Sequence, residues 1–304
     1  MSTITVGLDG SPQSLAAADW AAREAEQREA VLRLVHGWDQ TPYVYPPLGG
    51  IPAPGAMDTQ GTWAKNLLRQ TAAGLADRYP ALRIETEHSG DHPVAALLAA
   101  TEDADLLVLG SRGLGTVAGL LVGSVALALV ARVDRPVVLV RADERDVDEH
   151  LPDAAGAEST GTPYRDVVLG LDLEHPGESV IRFAFEAAQR RAAGLRVVHG
   201  WSLPASHGYG AAMDVGLSEE QAGLIRQRLT DALRPWQEKF PGVDVREQAV
   251  IGSAGRHLVQ ASRDAALVVV GRTNRRAAVG SHIGPVTHAV LQHAVAPVAV
   301  VPHD

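Results

Sequence analysis

The chain has no cysteine, which removes disulfides, iron–sulfur clusters, thiolate zinc sites and cysteine nucleophiles together. Aromatic residues make up only 4%, so aliphatic side chains must fill any core. Lysine occurs twice, as Lys65 and Lys239, among 27 basic residues, a bias that looks like GC-rich codon usage more than a functional signal. No uninterrupted apolar run reaches 18 residues. The opening Met1-Ser2-Thr3-Ile4 lacks a basic region followed by an apolar stretch. Neither a membrane span nor an exported precursor is therefore expected, and a cytoplasmic protein is the default. A formal charge of -9 argues against a nucleic-acid or polyanion binder. What remains is ordinary for a globular chain, with 46% apolar and 21% charged residues, and it excludes wholesale disorder. At 304 residues the chain is about twice the usual domain length, and each half is long enough to bury a core.

The sequence repeats itself. Arg33-Leu-Val-His-Gly-Trp38 returns as Arg196-Val-Val-His-Gly-Trp201, and Val6-Gly-Leu-Asp9 returns as Leu169-Gly-Leu-Asp172, both 163 positions on. Leu106-Leu-Val-Leu-Gly110 returns as Leu267-Val-Val-Val-Gly271, and Pro136-Val-Val-Leu-Val140 as Pro297-Val-Ala-Val-Val301, both 161 positions on. Matches in order at near-constant spacing mean two copies of one domain. Ala142 to Pro163 is rich in Asp, Glu, Ala, Gly and Pro without apolar periodicity, and it reads as a linker. The expected division is 1–141, a linker at 142–163, and 164–304.

Each copy alternates short Val/Leu/Ile runs with longer helical patterns. In the first copy strands are expected at Ile4–Leu8, Val31–His36, Arg83–His88, Asp105–Leu109 and Pro136–Val140. Helices are expected at Ser14–Ala30, Trp63–Arg78, Pro93–Ala104 and Ser124–Val133. The second copy follows suit. Continuous aliphatic runs indicate strands buried on both faces, as in a parallel sheet, and right-handed crossovers then give an α/β fold. The expected architecture is two tandem doubly wound, Rossmann-like domains, each with a five-stranded parallel sheet in the order 3-2-1-4-5. In such sheets ligands lie beyond the carboxyl ends of the strands where the order reverses, between strands one and four. Asp9 ends the first strand and Gly110 the fourth.

From that fourth strand the chain runs Gly110-Ser-Arg-Gly113, nine residues, then Gly123-Ser124 at the start of a helix. Gly110 and Gly113 allow positive φ and close approach to a ligand. The amides of Gly123, Ser124 and Val125 carry the positive end of the helix, where phosphate oxygens would be held. The Ser124 hydroxyl would cap the helix or donate to a phosphate. A flexible turn and a capped helix are the bland alternative. The pattern is neither a Walker loop nor Gly-x-Gly-x-x-Gly.

Gly110-x2-Gly113-x9-Gly123-Ser124, behind Asp9, resembles the ATP-binding branch of the universal stress protein family, and the resemblance spans nearly the whole chain as two tandem domains. It implies a cytoplasmic stress-response protein that binds ATP with little or no turnover, with magnesium left open. It implies that Asp9 approaches the adenosine, that Gly37 lines the adenine pocket, and that Gly110, Gly113, Gly123, Ser124 and Val125 hold ribose and phosphates. Arg112 would neutralise phosphate or simply be solvated. It also implies pairing of Val137–Val140 with Val298–Val301 as an intramolecular pseudo-dimer, with a homodimer of whole chains left open. The protein partner is not readable.

The second copy departs from the pattern, reading Gly271-Arg-Thr-Asn274, nine residues, then Gly284-Pro285. Asn274 tolerates a left-handed backbone, while Pro285 removes both an amide and the hydroxyl. Asp172, Gly271, Asn274 and Gly284 therefore mark a second site at which ATP binding is expected to be weaker or absent. Arg272, Arg275 and Arg276 make its loop more basic.

The twelve histidines form no catalytic pattern. His36 and His199 stand at equivalent strand ends as structural or pocket-wall residues. His88 and His92 miss the spacing of a His-x-Gly-His nucleotidyl transferase signature, and His288 and His293 miss a shared helix face. With no paired acid for Asp9 and no nucleophile elbow, fast catalysis is not expected. A slow ATPase or a nucleotide-transferring enzyme on the same fold is the alternative. Asp39–Gly61, with five prolines and four glycines, reads as a lid, a clasp or plain disorder.

Overall fold

The computed structural model describes residues 2–38, 56–111, 122–201, 215–274 and 283–304. Its contacts divide the chain into Met1–Asp143 and Glu144–Asp304. In the first unit β1 (Thr3–Gly7), β2 (Val31–Gly37), β3 (Ile84–Ser89), β4 (Leu106–Gly110) and β5 (Val137–Val140) alternate with helices. The helices are α1 (Pro12–Gln27), α2 (Ala56–Arg78), α3 (Pro93–Ala100) and α4 (Ser124–Arg132). The strands lie in the order β3-β2-β1-β4-β5, and every pairing is parallel. The register sets Thr5 beside Leu107 and Val6 beside Val108, so the chain leaves β1 and β4 side by side at their carboxyl ends.

The second unit repeats this plan with β6 (Val167–Gly170), α5 (Glu178–Arg190), β7 (Leu195–Trp201), α6 (Val215–Lys239), β8 (Val245–Ile251), α7 (Ala254–Ala261), β9 (Leu267–Thr273), α8 (Pro285–His293) and β10 (Val298–His303). Its order is β8-β7-β6-β9-β10, the same 3-2-1-4-5 pattern, again all parallel.

The central strands are apolar on both faces, and Ile4, Val6, Leu106, Leu107, Val108, Val167, Val168, Leu169, Val268 and Val269 have no more than trace exposure. Helix α1 shows how so few aromatics suffice. Ala17, Ala18, Ala21, Ala22 and Ala25 are buried on its inner face, and small side chains let its axis approach β1, β4 and β5 closely. Trp20 is the one large ring in that interface and is fully buried. Ser11 caps the helix, accepting a 3.2 Å hydrogen bond from the Ser14 amide, with Pro12 in the first turn. The internal repeat reaches the ends of these helices too. Glu29 (φ 51°) and Ala192 (φ 47°), equivalent residues after α1 and α5, both take the left-handed conformation that closes a helix.

Two departures from the sequence expectation are informative. Helix α2 begins at Ala56 rather than near Trp63. The segment from Ala142 to Pro163, read as a linker, carries local structure of its own. A 3-10 turn spans Asp146–Glu149, His150 bridges Tyr164 in an antiparallel pair, and the Leu151 amide donates to the Pro163 carbonyl at 2.9 Å. Arg145 holds Asp148 and Glu158 together, each at 2.8 Å. Among the described residues no helix is long and apolar enough to cross a membrane.

Candidate functional site

The first unit builds its candidate site on the turn from β1 into α1. Asp9 Oδ1 accepts from both the amide (2.9 Å) and the hydroxyl (2.5 Å) of Ser11, while the Asp9 amide meets the Ser14 hydroxyl at 3.3 Å. Gly10 follows in the left-handed region at φ 79°, where a β-carbon is strained. Partial burial works to raise the Asp9 pKa, and the hydrogen bonds from Ser11 and Ser14 outweigh it, leaving the carboxyl below its usual value. Asp9 is thus a fixed anion at neutral pH, held by its own turn.

Because its folded pKa is lowered, Asp9 contributes stability that is full above about pH 4, the ordinary unfolded value, and lost as pH falls through the depressed folded value. Ser11→Ala removes the hydroxyl's hydrogen bond to Asp9 and the helix cap, and leaves the bond from the backbone amide in place. The Asp9 pKa then rises toward the ordinary value in an NMR titration, and stability near neutral pH falls by about 1 kcal/mol. An unmoved Asp9 titration would show that the turn does not govern it.

The floor beside Asp9 is fixed by histidine. His36 Nδ1 lies 2.6 Å from the Leu8 carbonyl, and since a carbonyl only accepts, Nδ1 carries the proton. His199 Nδ1 repeats the bond to the Leu171 carbonyl at 2.9 Å. Both rings therefore tie the end of the second strand to the end of the first in their unit. His88, tilted against Trp38 with ring centroids 6.1 Å apart, has its pKa held down by burial and by the nearby His36 and Lys65. His92 caps α3, accepting from the Val94 amide at 3.3 Å, so the pair has separate structural settings. Among the described residues no cluster of three or more His, Asp or Glu groups is placed to hold a metal ion.

Opposite Asp9, Gly110 ends β4. Its glycine is required by packing, and the expected positive φ is not found. Gly110 is not in the left-handed region. A β-carbon there would lie 2.6 Å from the carbonyl carbon of Gln13, so the residue is small because α1 presses its first turn onto the strand end. Gly37 behaves likewise, with a β-carbon falling 2.7 Å from Ala96 Cβ and 3.1 Å from Pro93 Cα at the start of α3. Helix α4 takes Gly123 as its cap (φ -61°, ψ 155°) with no side chain bonding the first turn. Ser124 is the first helical residue, not the cap, and is exposed, which leaves its hydroxyl and the amides around Val125 at the helix mouth. Arg112 and Gly113 lie outside the described residues, as do residues 39–55 of the Asp39–Gly61 stretch.

In the second unit the equivalent residues line one cavity of about 580 Å³. Asp172, Gly200, Gly271, Gly284, Pro285 and Val286 all face it, and they are the repeat counterparts of Asp9, Gly37, Gly110, Gly123, Ser124 and Val125. Asp172 again closes its own turn, accepting from the Glu174 amide at 2.9 Å, with His175 3.5 Å away. Asn274 is not among the lining residues, nor is its backbone left-handed. Its amide instead donates to the His303 carbonyl at 2.6 Å, extending the β9–β10 ladder. Arg275 and Arg276 lie outside the described residues.

Two lining residues, Thr287 and His303, are not among the sequence expectations, and a third, Arg272, figures there only through the basicity of its loop. The Thr287 hydroxyl donates to the Gly271 carbonyl at 2.8 Å, tying α8 to the end of β9. The His303 ring lies over Gly271 and Gly177, within 3 Å of where a β-carbon of either would stand. Arg272, buried, forms part of the wall. Thr287 follows the glycine–proline helix start by two residues and was legible in principle from that spacing. His303 was not, because its contact joins the end of the last strand to the first helix of the unit.

Strand order and cavity define a class: tandem doubly wound α/β units, the second with a cavity at the carboxyl ends of its first and fourth strands. The chain belongs to the universal stress protein family, whose model matches residues 1–141 and 163–302. Universal stress protein Rv2005c of Mycobacterium tuberculosis is 34% identical over 312 residues, covering 98% of this chain and 96% of the relative. Universal stress protein Rv2623 of the same organism is 33% identical over 307 residues, covering 98% and 95%. The crystal structure of a universal stress protein from Archaeoglobus fulgidus is similar with a TM-score of 0.68 at 14% identity, covering 99% of this chain and 98% of that one, a likeness of fold.

Proposed function

We propose that the protein binds an adenine nucleotide, ATP, at the crevice between β1 and β4 of its first unit, and more weakly in the cavity of its second. Occupancy then biases its conformation or its choice of partner in a stress response, by differential affinity for two states. The observation that carries this reading is the six repeat-related residues converging on one cavity in the second unit. A volume of about 580 Å³ falls in the range of small-molecule sites. The chemistry suits a nucleotide: an uncapped helix mouth for the anionic phosphates, and a carboxylate held ionised to accept from ribose or base.

The first unit has the better phosphate end. Ser124 keeps an amide and a hydroxyl where Pro285 has neither. With no metal cluster among the described residues, magnesium would enter on the nucleotide's own phosphates.

Native mass spectrometry of freshly purified protein is expected to show an adenine nucleotide mass. Calorimetric titration with ATP, with and without magnesium, is expected to give one tighter and one weaker site. Asp9→Ala weakens the tighter site by about tenfold, the scale of a lost hydrogen bond to a charged group. A wild-type protein that neither carries nor takes up nucleotide would sink the reading. Multiple turnovers abolished by Asp9→Asn, with binding retained, would replace it by an enzyme.

A further inference from the structure

Trp63 stands out as a large apolar side chain left 51% exposed. It is exposed without being loose. A β-carbon on Gly10 would lie 3.1 Å from its Cζ2 and 3.3 Å from its Cη2, so one edge of the indole rests on the turn that carries Asp9. The ring also meets His36 edge-on, with centroids 5.5 Å apart and planes at 73°. His36 is in turn locked to the Leu8 carbonyl. A rigid aromatic plate therefore stands at the carboxyl end of β1, anchored on one side and open to water on the other.

The second unit has the same fold but a different wall. Its equivalent turn carries the buried Leu173 in place of Gly10. From α6 it is braced by Arg228, whose guanidinium donates to the Leu173 carbonyl at 3.4 Å and to Glu174 at 3.1 Å. The contact made by an aromatic ring in one unit is made by an ion-paired guanidinium in the other. Packing alone does not require an indole at this position, since the second unit closes its turn without one. A flat π surface that keeps half its area in water on the turn carrying Asp9 has one economical occupant, a flat ring.

We propose that Trp63 is the base-stacking wall of the first unit, selecting ligands that carry a nucleobase, and that its absence from the second unit makes the two sites chemically unequal. This rests on the nucleotide reading above and adds which part of the ligand the first unit grips. Stacking is tolerant of base identity because every base has a π face, so Trp63 confers preference for a nucleotide over a bare polyphosphate more than for one base over another.

The test uses the full-length chain with two probes, ATP and inorganic tripolyphosphate, titrated calorimetrically into wild type, Trp63→Leu and Trp63→Phe. Leucine keeps an apolar contact on Gly10 but removes the π face. Thermal melts verify that each variant is folded. In Trp63→Leu the tighter ATP site weakens by about tenfold, the scale of one lost base–aromatic stack. Phenylalanine restores most of that affinity, tripolyphosphate binds all three proteins equally, and the weaker ATP site is unmoved. Unchanged ATP affinity in Trp63→Leu, equal losses for ATP and tripolyphosphate, or no rescue by phenylalanine would each overturn the assignment while the nucleotide reading stands. If wild type binds no ATP, the nucleotide reading itself fails and this inference with it.

Discussion

Replacing Glu149 by alanine is expected to lower the stability of the second unit by about 3–5 kcal/mol, the cost of removing one partner from a buried ion pair. Glu149 is 2% exposed and Arg191 4%, and their charged groups lie 3.8 Å apart. Arg191 closes α5, so the pair fastens the segment before β6 to the first helix of the unit. The same guanidinium stands 5.8 Å from the centroid of the Tyr164 ring. Tyr164 packs on His150 at 4.0 Å, and His150 Nδ1 donates to the Thr162 carbonyl at 2.6 Å. The Arg165 amide donates to the Glu149 carbonyl at 2.8 Å. With the carboxylate gone, Arg191 keeps its charge out of water against a weaker set of partners.

The pair's geometry gives a control. Glu149→Leu combined with Arg191→Met removes both charges and keeps the volume, and it recovers most of the loss. Urea unfolding of the full chain reads both variants through the second unit's transition. A loss below about 1 kcal/mol for Glu149→Ala, the scale of a surface ion pair, would show that the segment is only draped on the unit.

That segment shows where sequence legibility stops. The tandem repeat, the parallel sheets and their strand order were all readable, because aliphatic runs such as Val137–Val140 and Leu267–Val270 can hardly be anything but strands buried on both faces. Residues 142–163 carry no such periodicity, and their order comes from polar and charged contacts. Arg145 reaches Glu158, Glu149 reaches Arg191, and Arg165 donates to the Asp148 carbonyl. No hydrophobic pattern announces contacts of that kind. Helix α2 was read late for a related reason: Ala56-Met-Asp-Thr-Gln-Gly61 follows a proline-rich stretch and contains a glycine, and both weaken a helix reading.

At the candidate site the sequence does not distinguish the reasons for its glycines. Gly110 and Gly37 are glycines because a neighbouring helix start presses on them, whereas Gly10 is one because its backbone is left-handed. One letter stands for both causes, and only coordinates separate them. Trp63 and His303 went unnoticed because each acquires its setting from residues far away in the chain, Gly10 and His36 for the first, Gly177 and Gly271 for the second.

Two glycines lining the second unit's cavity are expected to behave oppositely, because backbone presses on only one of them. Gly200→Ala should destabilise that unit by about 3 kcal/mol, at the upper end of overpacking costs. Its β-carbon would fall 2.6 Å from both the Cα and the amide nitrogen of Ala254, which is backbone at the start of α7 and has no side-chain rotamer to yield. Gly284→Ala is the converse case. Its backbone (φ -60°, ψ 158°) suits alanine, and a β-carbon there meets no atom within 4 Å. The fold loses at most about 1 kcal/mol, for a poorer helix cap. Yet Gly284 lines the cavity, so the added methyl occupies space that a ligand would use. Gly284→Ala is therefore expected to keep its melting temperature within a few degrees of wild type and to weaken the second ATP site several-fold, measured by melts and calorimetry on the same preparations. The outcome that separates scaffold from site is stability retained with affinity lost. If affinity survives intact in Gly284→Ala, the mouth of α8 does not contact the ligand, and the cavity's opening must be used from the His175 side instead.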